Sequence, residues 1–372
     1  MARIALDCRS VFPGMGGIGR YAATLAGALP QLDPGNEYHF LVTDKKADQP
    51  LSAAPNASER PFACGMIDER WEQLELPGEL AGMTADLYHS TCFTLPVAGG
   101  ARRKIATVHD VIFSRHPELV DERLRNYLDR WTEVSLDVAD RIITVSEFSK
   151  REMCELYGAD PGKVRVVYNG VDPRFAQAGA AATAKTAASK LKLPKRYALY
   201  VGALEEKKNI PRLLAAWKLV SAKVKGLKLV LAGGKGGKGF DAEAAVKAVG
   251  VDDSVVLAGY VADSDLPAVM AGAEIFVYPS LYEGFGLPVL EAMACGVPVV
   301  TSKTSSLGEI AGDAARLVDP ESVEDLAGAM EEVVADRKLA QSLVKKGRAR
   351  AAEFTPDRCA RETLAVYREV LS

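Results

Sequence analysis

The chain has 372 residues, 48% of them hydrophobic, which is too long for one ordinary domain and enough to bury two cores. A net charge of −3 gives no global reason to bind nucleic acid, and the six cysteines (Cys8, Cys64, Cys92, Cys154, Cys295, Cys359) contain no Cys-x-x-Cys spacing, which argues for reduced thiols and against a zinc knuckle or disulfide frame. The opening residues lack a signal-peptide pattern and no window reaches about 18 uninterrupted apolar residues, so a cytoplasmic chain with no membrane span is expected.

Strand RIALDC is followed by a glycine loop, helix YAATLAGALPQL and strand YHFLVTD; strands DLYHS, RKIATVHD, RIITVS and VRVVYNG continue the alternation to residue 170. Residues 175–196, Ala-rich and short of large apolar side chains, read as a connection containing a helical piece. The pattern then restarts: strand YALYVG, helix NIPRLLAAWKLV, strands LKLVLAGG and VVLAGY, helix LPAVMAGA, strand IFVYPS, helix PVLEAMACG, strand PVVTS. Apolar strands bounded by Gly, Pro or polar caps indicate two α/β domains in series, each a doubly wound parallel sheet, with ligands expected beyond the carboxyl ends of the strands. Residues 1–170 carry 19 basic and 24 acidic side chains and the remainder 27 and 25, so the second half is the better host for an anion.

FPGMGGIGRY holds Gly14, Gly16 and Gly19 in G-x-G-x-x-G spacing, with Asp44 closing the second strand. Three readings fit: a dinucleotide fingerprint, weakened because RSVFP separates the glycines from the strand; a freestanding loop whose N–H groups face an anion; and a structural turn. His109 ends a strand and is the leading histidine, His89 is a second candidate, and no histidine pair has metal-site spacing. Asp263-Ser264-Asp265 reads as a polar cap ahead of Pro267 rather than a metal motif.

In YEGFGLPVLEAMACG, Glu283 lies on a loop and Glu291 about one turn into a helix, with Gly284 and Gly286 permitting close backbone approach and Pro288 in the first turn. The pair allows acid–base hydrolysis or simple capping. Lys207 and Lys208, between a strand end and a new helix, shift the balance toward a diphosphate bearing hydroxyls at its far end, which is the form of a nucleotide sugar.

At this point the chain resembles the retaining glycosyltransferases of family 4, through GGIGRY, DLYHSTCFTLP, ATVHDVIF, ITVSEFSKREM, VVYNGVD, LYVGALEEKKNIPRLL, YPSLYEGFGLPVLEAMACGVPVVTS and SSLGEIAGDAARLVDP in family order. The resemblance implies the GT-B fold, two Rossmann-like domains facing across a cleft. Residues 1–175 would bind the acceptor, rejoined by a returning helix at 354–372, and residues 190–353 would bind the donor. It implies that Glu291 accepts from the ribose and Glu283 contacts sugar hydroxyls. The amides around Gly284, Phe285, Gly286 and Leu287 would hold sugar and phosphate, and Lys208 would neutralise the diphosphate. Gly16 and Gly17 would close on the diphosphate, His109 would bond the sugar beside the anomeric centre, and the base would lie near Tyr260 and Val261. Many members carry arginine where this chain has Ala203 after Gly202; either Lys207 supplies the missing charge, or the donor phosphate depends more on Lys208 and the helix terminus.

The implied reaction is hexosyl transfer with retention and front-face departure, requiring no metal or other cofactor. GDP-mannose is the first donor expected, by resemblance to bacterial mannosyltransferases of polysaccharide assembly, and a UDP-hexose such as UDP-glucose is the second. The acceptor would be a glycan or lipid-linked glycan, with peripheral contact at the inner membrane leaflet and ARRK (residues 101–104) the nearest basic cluster. An NAD-binding oxidoreductase and a non-catalytic sugar-nucleotide binder are the readings from other classes.

Overall fold

In the computed structural model, which describes residues 1–44, 49–65, 67–178, 190–234 and 240–372, the short apolar runs pair as parallel strands in two sheets. The first contains β1 (Arg3–Asp7), β2 (Glu37–Thr43), β3 (Ala57–Phe62), β4 (Leu87–Ser90), β5 (Arg103–Val108), β6 (Arg141–Thr144) and β7 (Val164–Val166), in the order β3-β2-β1-β4-β5-β6-β7. The second contains β8 (Tyr197–Val201), β9 (Lys228–Ala232), β10 (Val255–Gly259), β11 (Ile275–Tyr278), β12 (Val299–Ser302) and β13 (Arg316–Val318), in the order β10-β9-β8-β11-β12-β13. The strand sequence reverses between β1 and β4 in one sheet and between β8 and β11 in the other. Such switch points leave a crevice beyond the strands' carboxyl ends, where ligands bind in open α/β sheets.

Burial explains which strands could be read from sequence. β8 and β11 are almost wholly buried, as strands covered on both faces must be. β3, with the sequence ASERPF and a half-exposed burial pattern, escapes that reading. It pairs only with β2 at the sheet edge, where Pro61 removes no needed ladder bond.

The chain divides into one unit of residues 1–170 with 356–372 and a second of residues 171–355. The division falls at Gly170 rather than 175 because the helix Pro173–Gln177 packs on the helix Leu287–Ala294 of the second unit. Of the Ala-rich connection, residues 179–189 lie outside the described residues. In the first unit the helix Gly17–Leu32 packs against the terminal helix Pro356–Leu371, which buries Cys359, Ala360, Leu364, Val366, Tyr367 and Val370 in the core built on β1 and β2.

Two expectations are corrected here. The helix after β1 begins at Gly17, so Gly19 lies in its first turn and not in a freestanding loop. A Cβ on Gly19 would stand 2.3 Å from the Ser10 carbonyl oxygen, so the third glycine of the apparent fingerprint is a packing requirement. His89 is fully buried, with Nδ1 2.7 Å from the Tyr367 hydroxyl and Nε2 2.7 Å from Thr107 Oγ1. Both ring nitrogens are engaged, burial lowers its pKa to about 3, and it is a structural residue rather than a site candidate. If the terminal helix completes the first unit's core, Leu364→Ala leaves a cavity there and costs about 2–5 kcal/mol, read from urea unfolding.

Candidate functional site

The loops that follow β8 and β11, neighbours at the switch point of the second sheet, bring a lysine and a glutamate together. After β8, a short turn (Glu206–Lys208) ends at Asn209, which takes the left-handed conformation (φ 62°) and starts the helix Ile210–Lys223. Asn209 is 1% exposed, and its Nδ2 donates to the carbonyls of Pro279 at 3.0 Å and Pro320 at 2.6 Å. The Leu281 amide donates to the Lys207 carbonyl at 3.0 Å, so the turn is fastened to the chain leaving β11. Sequence reasoning missed Asn209; an Asn just ahead of Ile-Pro at a helix start was the available signal.

Lys208 Nζ stands 2.6 Å from Glu283 Oε1 and donates to the Tyr278 hydroxyl at 3.2 Å, with both charged side chains nearly buried. Burial pushes the Glu283 carboxyl up, but the Lys208 charge and hydrogen bond outweigh it and hold the group below the usual carboxylate range. Burial likewise pushes Lys208 down, and Glu283 reverses that to leave the ammonium above its ordinary value. Both are therefore ionised at neutral pH. Lys207 is engaged differently, 3.4 Å from Glu205 Oε1.

The chain from Glu283 to Leu287 is shaped by its neighbours. Gly286 (φ 106°) precedes the helix Leu287–Ala294 without a side-chain cap, and a Cβ there would stand 2.6 Å from Leu307 Cδ2. Ser305 Oγ accepts the Glu283 amide at 3.2 Å, and Ser306 Oγ lies 2.8 Å from the Glu283 carbonyl oxygen and 2.9 Å from that of Phe285. Pro288 sits in the first turn, and Glu291 is 3% exposed one turn further on. Gly284 is held in the same loop, while Phe285 packs edge-on to Phe354 at 5.8 Å. Beyond β10, Tyr260 is 59% exposed and Val261 is buried.

Asp265 occupies the N-cap position of the helix Leu266–Ala271, but its side chain pairs with Lys190 at 2.6 Å and makes no cap bond to that helix. Among the described residues, no group of three or more His, Cys, Asp or Glu could hold a metal ion.

In the first unit, His109 follows β5 with its ring 7% exposed, edge-on to Tyr21 at 5.1 Å and to Phe93 at 5.7 Å. Its Nε2–H donates to the Thr91 carbonyl at 2.8 Å, which leaves Nδ1 as the acceptor nitrogen. Burial lowers its pKa to about 4, so at neutral pH it is an uncharged hydrogen-bonding group. Gly16 caps the helix that Gly17 opens, and a Cβ on Gly16 would meet nothing within 4 Å, so that glycine leaves open space.

The same strand ends hold a network missed in the sequence. Arg9, 2% exposed, grips Asp7 with Nε 3.0 Å from Oδ1 and Nη2 2.7 Å from Oδ2, reaches Glu72 at 3.4 Å, and lies 4.4 Å over the Trp71 ring. An Asp-x-Arg closing an apolar strand was its sequence signal.

Residues 15–175 match the family described as Glycosyltransferase Family 4, and residues 183–350 that described as Glycosyl transferases group 1. The chain is 32% identical over 283 residues to the O-antigen chain mannosyltransferase B of Escherichia coli, covering 76% of this chain and 74% of that one. It is 28% identical over 276 residues to the serotype-specific mannosyltransferase WbdA of Escherichia coli, covering 72% of this chain and 34% of WbdA, so it spans about a third of that relative. Among solved structures, sucrose-phosphate synthase from Thermosynechococcus elongatus superposes with a TM-score of 0.77 at 22% identity, covering 100% of this chain and 99% of that one. HepE of Anabaena, solved with UDP and glucose, gives 0.74 at 16% identity over 99% of this chain and all of its own.

The ion pair makes a stability prediction. Glu283→Gln leaves Lys208 buried without its carboxylate and costs about 3–5 kcal/mol at pH 7, whereas Glu283→Leu with Lys208→Met costs far less than the two single changes summed, both measured by denaturant unfolding. Because the folded Glu283 pKa lies below the unfolded value of 4.5, its contribution is present above pH 4.5 and is lost as pH falls through the folded value. The gap between wild type and Glu283→Gln therefore narrows in acid. In a second test, the ring proton signal of His109 titrates in NMR near pH 4, far below an exposed histidine.

Proposed function

This chain belongs to glycosyltransferase family 4, and from that premise we propose that it moves a hexosyl group from a nucleoside diphosphate sugar to a hydroxyl of a glycan acceptor with retention at the anomeric carbon. The observation that carries the reading is the buried Lys208–Glu283 pair at the switch point of the second sheet. A cation and a carboxylate kept ionised side by side suit a ligand with a diphosphate next to hydroxyls, each partner exchanging the other for its half of the ligand.

In this reading the second unit holds the donor and the first unit the acceptor. Lys208 neutralises the leaving diphosphate, Glu283 accepts from the sugar hydroxyls and Glu291 from the ribose. The backbone of Gly284, Phe285, Gly286 and Leu287 lines the sugar and phosphate, and the base lies near Tyr260 and Val261. Gly16 and Gly17 contact the diphosphate, and His109 bonds the sugar through its neutral ring. Lys207, 3.4 Å from Glu205 in the same turn, is the additional cation in this reading.

The bond from the anomeric carbon to the phosphate oxygen breaks as the bond to the acceptor oxygen forms on the same face, and the acceptor proton passes to the departing phosphate. Positive charge fixed before the reaction stabilises that departure without reorganisation. We propose no metal and no other cofactor.

GDP-mannose is the preferred donor, supported by the names of the mannosyltransferase relatives, and a lipid-linked glycan the preferred acceptor. A UDP-hexose is the second reading, favoured by the fold shared with HepE. We place the protein in the cytoplasm with peripheral contact at the inner leaflet; among the described residues no helix is long and apolar enough to cross a membrane.

Thermal shift with GDP, UDP and ADP separates the donors, since a ligand bound by the native state raises Tm. A shift specific to GDP is expected, and one specific to UDP removes mannose. With the matching donor, Lys208→Ala and Glu283→Gln lower kcat by about 10²–10³-fold while the variants stay folded, and EDTA leaves the wild-type rate unchanged.

A further inference from the structure

The first unit contains a cavity of about 890 Å³ between the segment around Ile67 and Glu69 and the amino-terminal half of the helix Glu122–Val138. That size lies within the roughly 300–1,000 Å³ of small-molecule sites. We propose that this cavity binds a neutral saccharide portion of the acceptor; the transferase reading enters only in naming that saccharide an acceptor.

The chemistry of the walls selects the ligand class. Glu69, Asp121 and Glu122 are interspersed with Arg123 and Arg130. A phosphorylated ligand would face more carboxylates than guanidinium groups, and an acyl chain would strip water from all of them. A sugar hydroxyl both donates and accepts, so mixed carboxylate, guanidinium and amide walls match it, Asn126 supplying the amide. Tyr127 and Trp131 provide the aromatic surface that a sugar's C–H face covers, with the Arg130 guanidinium 5.0 Å over the Trp131 ring.

The cavity is also tied to the ligand-binding end of the first sheet. Tyr127 Oη lies 3.1 Å from Thr94 Oγ1, which donates to Glu72 Oε2 at 2.9 Å, and Glu72 meets Arg9, which is clamped on Asp7 at the end of β1. Trp71 and Glu72 open a single π-helical turn, Trp71–Glu75, a rare conformation that recurs at functional sites. This chain of buried bonds holds one wall at the carboxyl edge of the strands, the edge from which His109 also projects.

The test uses the full chain on an immobilised library of neutral di- to tetrasaccharides of hexoses, with GDP and UDP each present in turn. The wild type is expected to retain at least one saccharide. The double variant Asn126→Ala, Arg130→Ala, both at exposed helical positions, is expected to weaken that binding at least about tenfold while the nucleotide-induced rise in Tm and donor hydrolysis stay unchanged. Equal binding by the variant, retention of charged glycans alone, or binding of no saccharide by the wild type overturns the proposal. If saccharides bind but no nucleotide raises Tm, the donor reading fails and the cavity assignment stands; the reverse result overturns the cavity assignment alone.

Discussion

A buried cation with a buried anion beside it is the constraint around which the second unit is organised. Each of Lys208 and Glu283 alone would be driven toward its neutral form by loss of water, and together each keeps the other charged. That mutual support depends on holding them at hydrogen-bonding distance, and the sheet order does so by making β8 and β11 neighbours. Asn209 then ties the lysine's turn to the chain after β11, while Ser305 and Ser306 hold the backbone of the glutamate's loop. Asn209, Ser305 and Ser306 thus fix the backbone that carries the side chains proposed to meet the ligand.

The first unit is arranged differently. Its strand ends carry a neutral histidine sealed between aromatic rings and a salt-bridged arginine stacked on Trp71. Charge in this unit is locked into structure at Asp7, Arg9 and Glu72, whereas His109 offers a ring nitrogen without charge. A group of that kind can orient a hydroxyl without competing for its proton, which suits binding beside a reacting centre better than acid–base work.

Much of this was legible because parallel strands covered on both faces appear as continuous apolar runs, and β8, β9, β11 and β12 are such runs. The carboxylate spacing and Lys208 were legible because they sit in a motif with strong flanks. β3 was hidden because an edge strand carries polar and proline residues that resemble a loop. Gly19 misled because a glycine required by packing and one that admits a ligand look identical until Ser10 is in place. Asn209 and Arg9 left only local traces, an Asn ahead of Ile-Pro and an Asp-x-Arg at a strand end, because their bonds to Pro320 and Glu72 span 111 and 63 positions; the cavity beside Tyr127 left none, since the Thr94–Glu72 bond next to it exists only in the fold.

The terminal helix Pro356–Leu371 belongs to the core of the first unit although the whole second unit precedes it in the chain. During synthesis the first unit therefore begins to emerge before the second but lacks Leu364, Val366 and Tyr367, and His89 lacks its Tyr367 partner, until residues 356–372 leave the ribosome. The second unit, continuous in sequence, can finish folding earlier. The first unit thus closes only after the whole second unit has been made, and over that interval its unfilled core leaves apolar surface exposed.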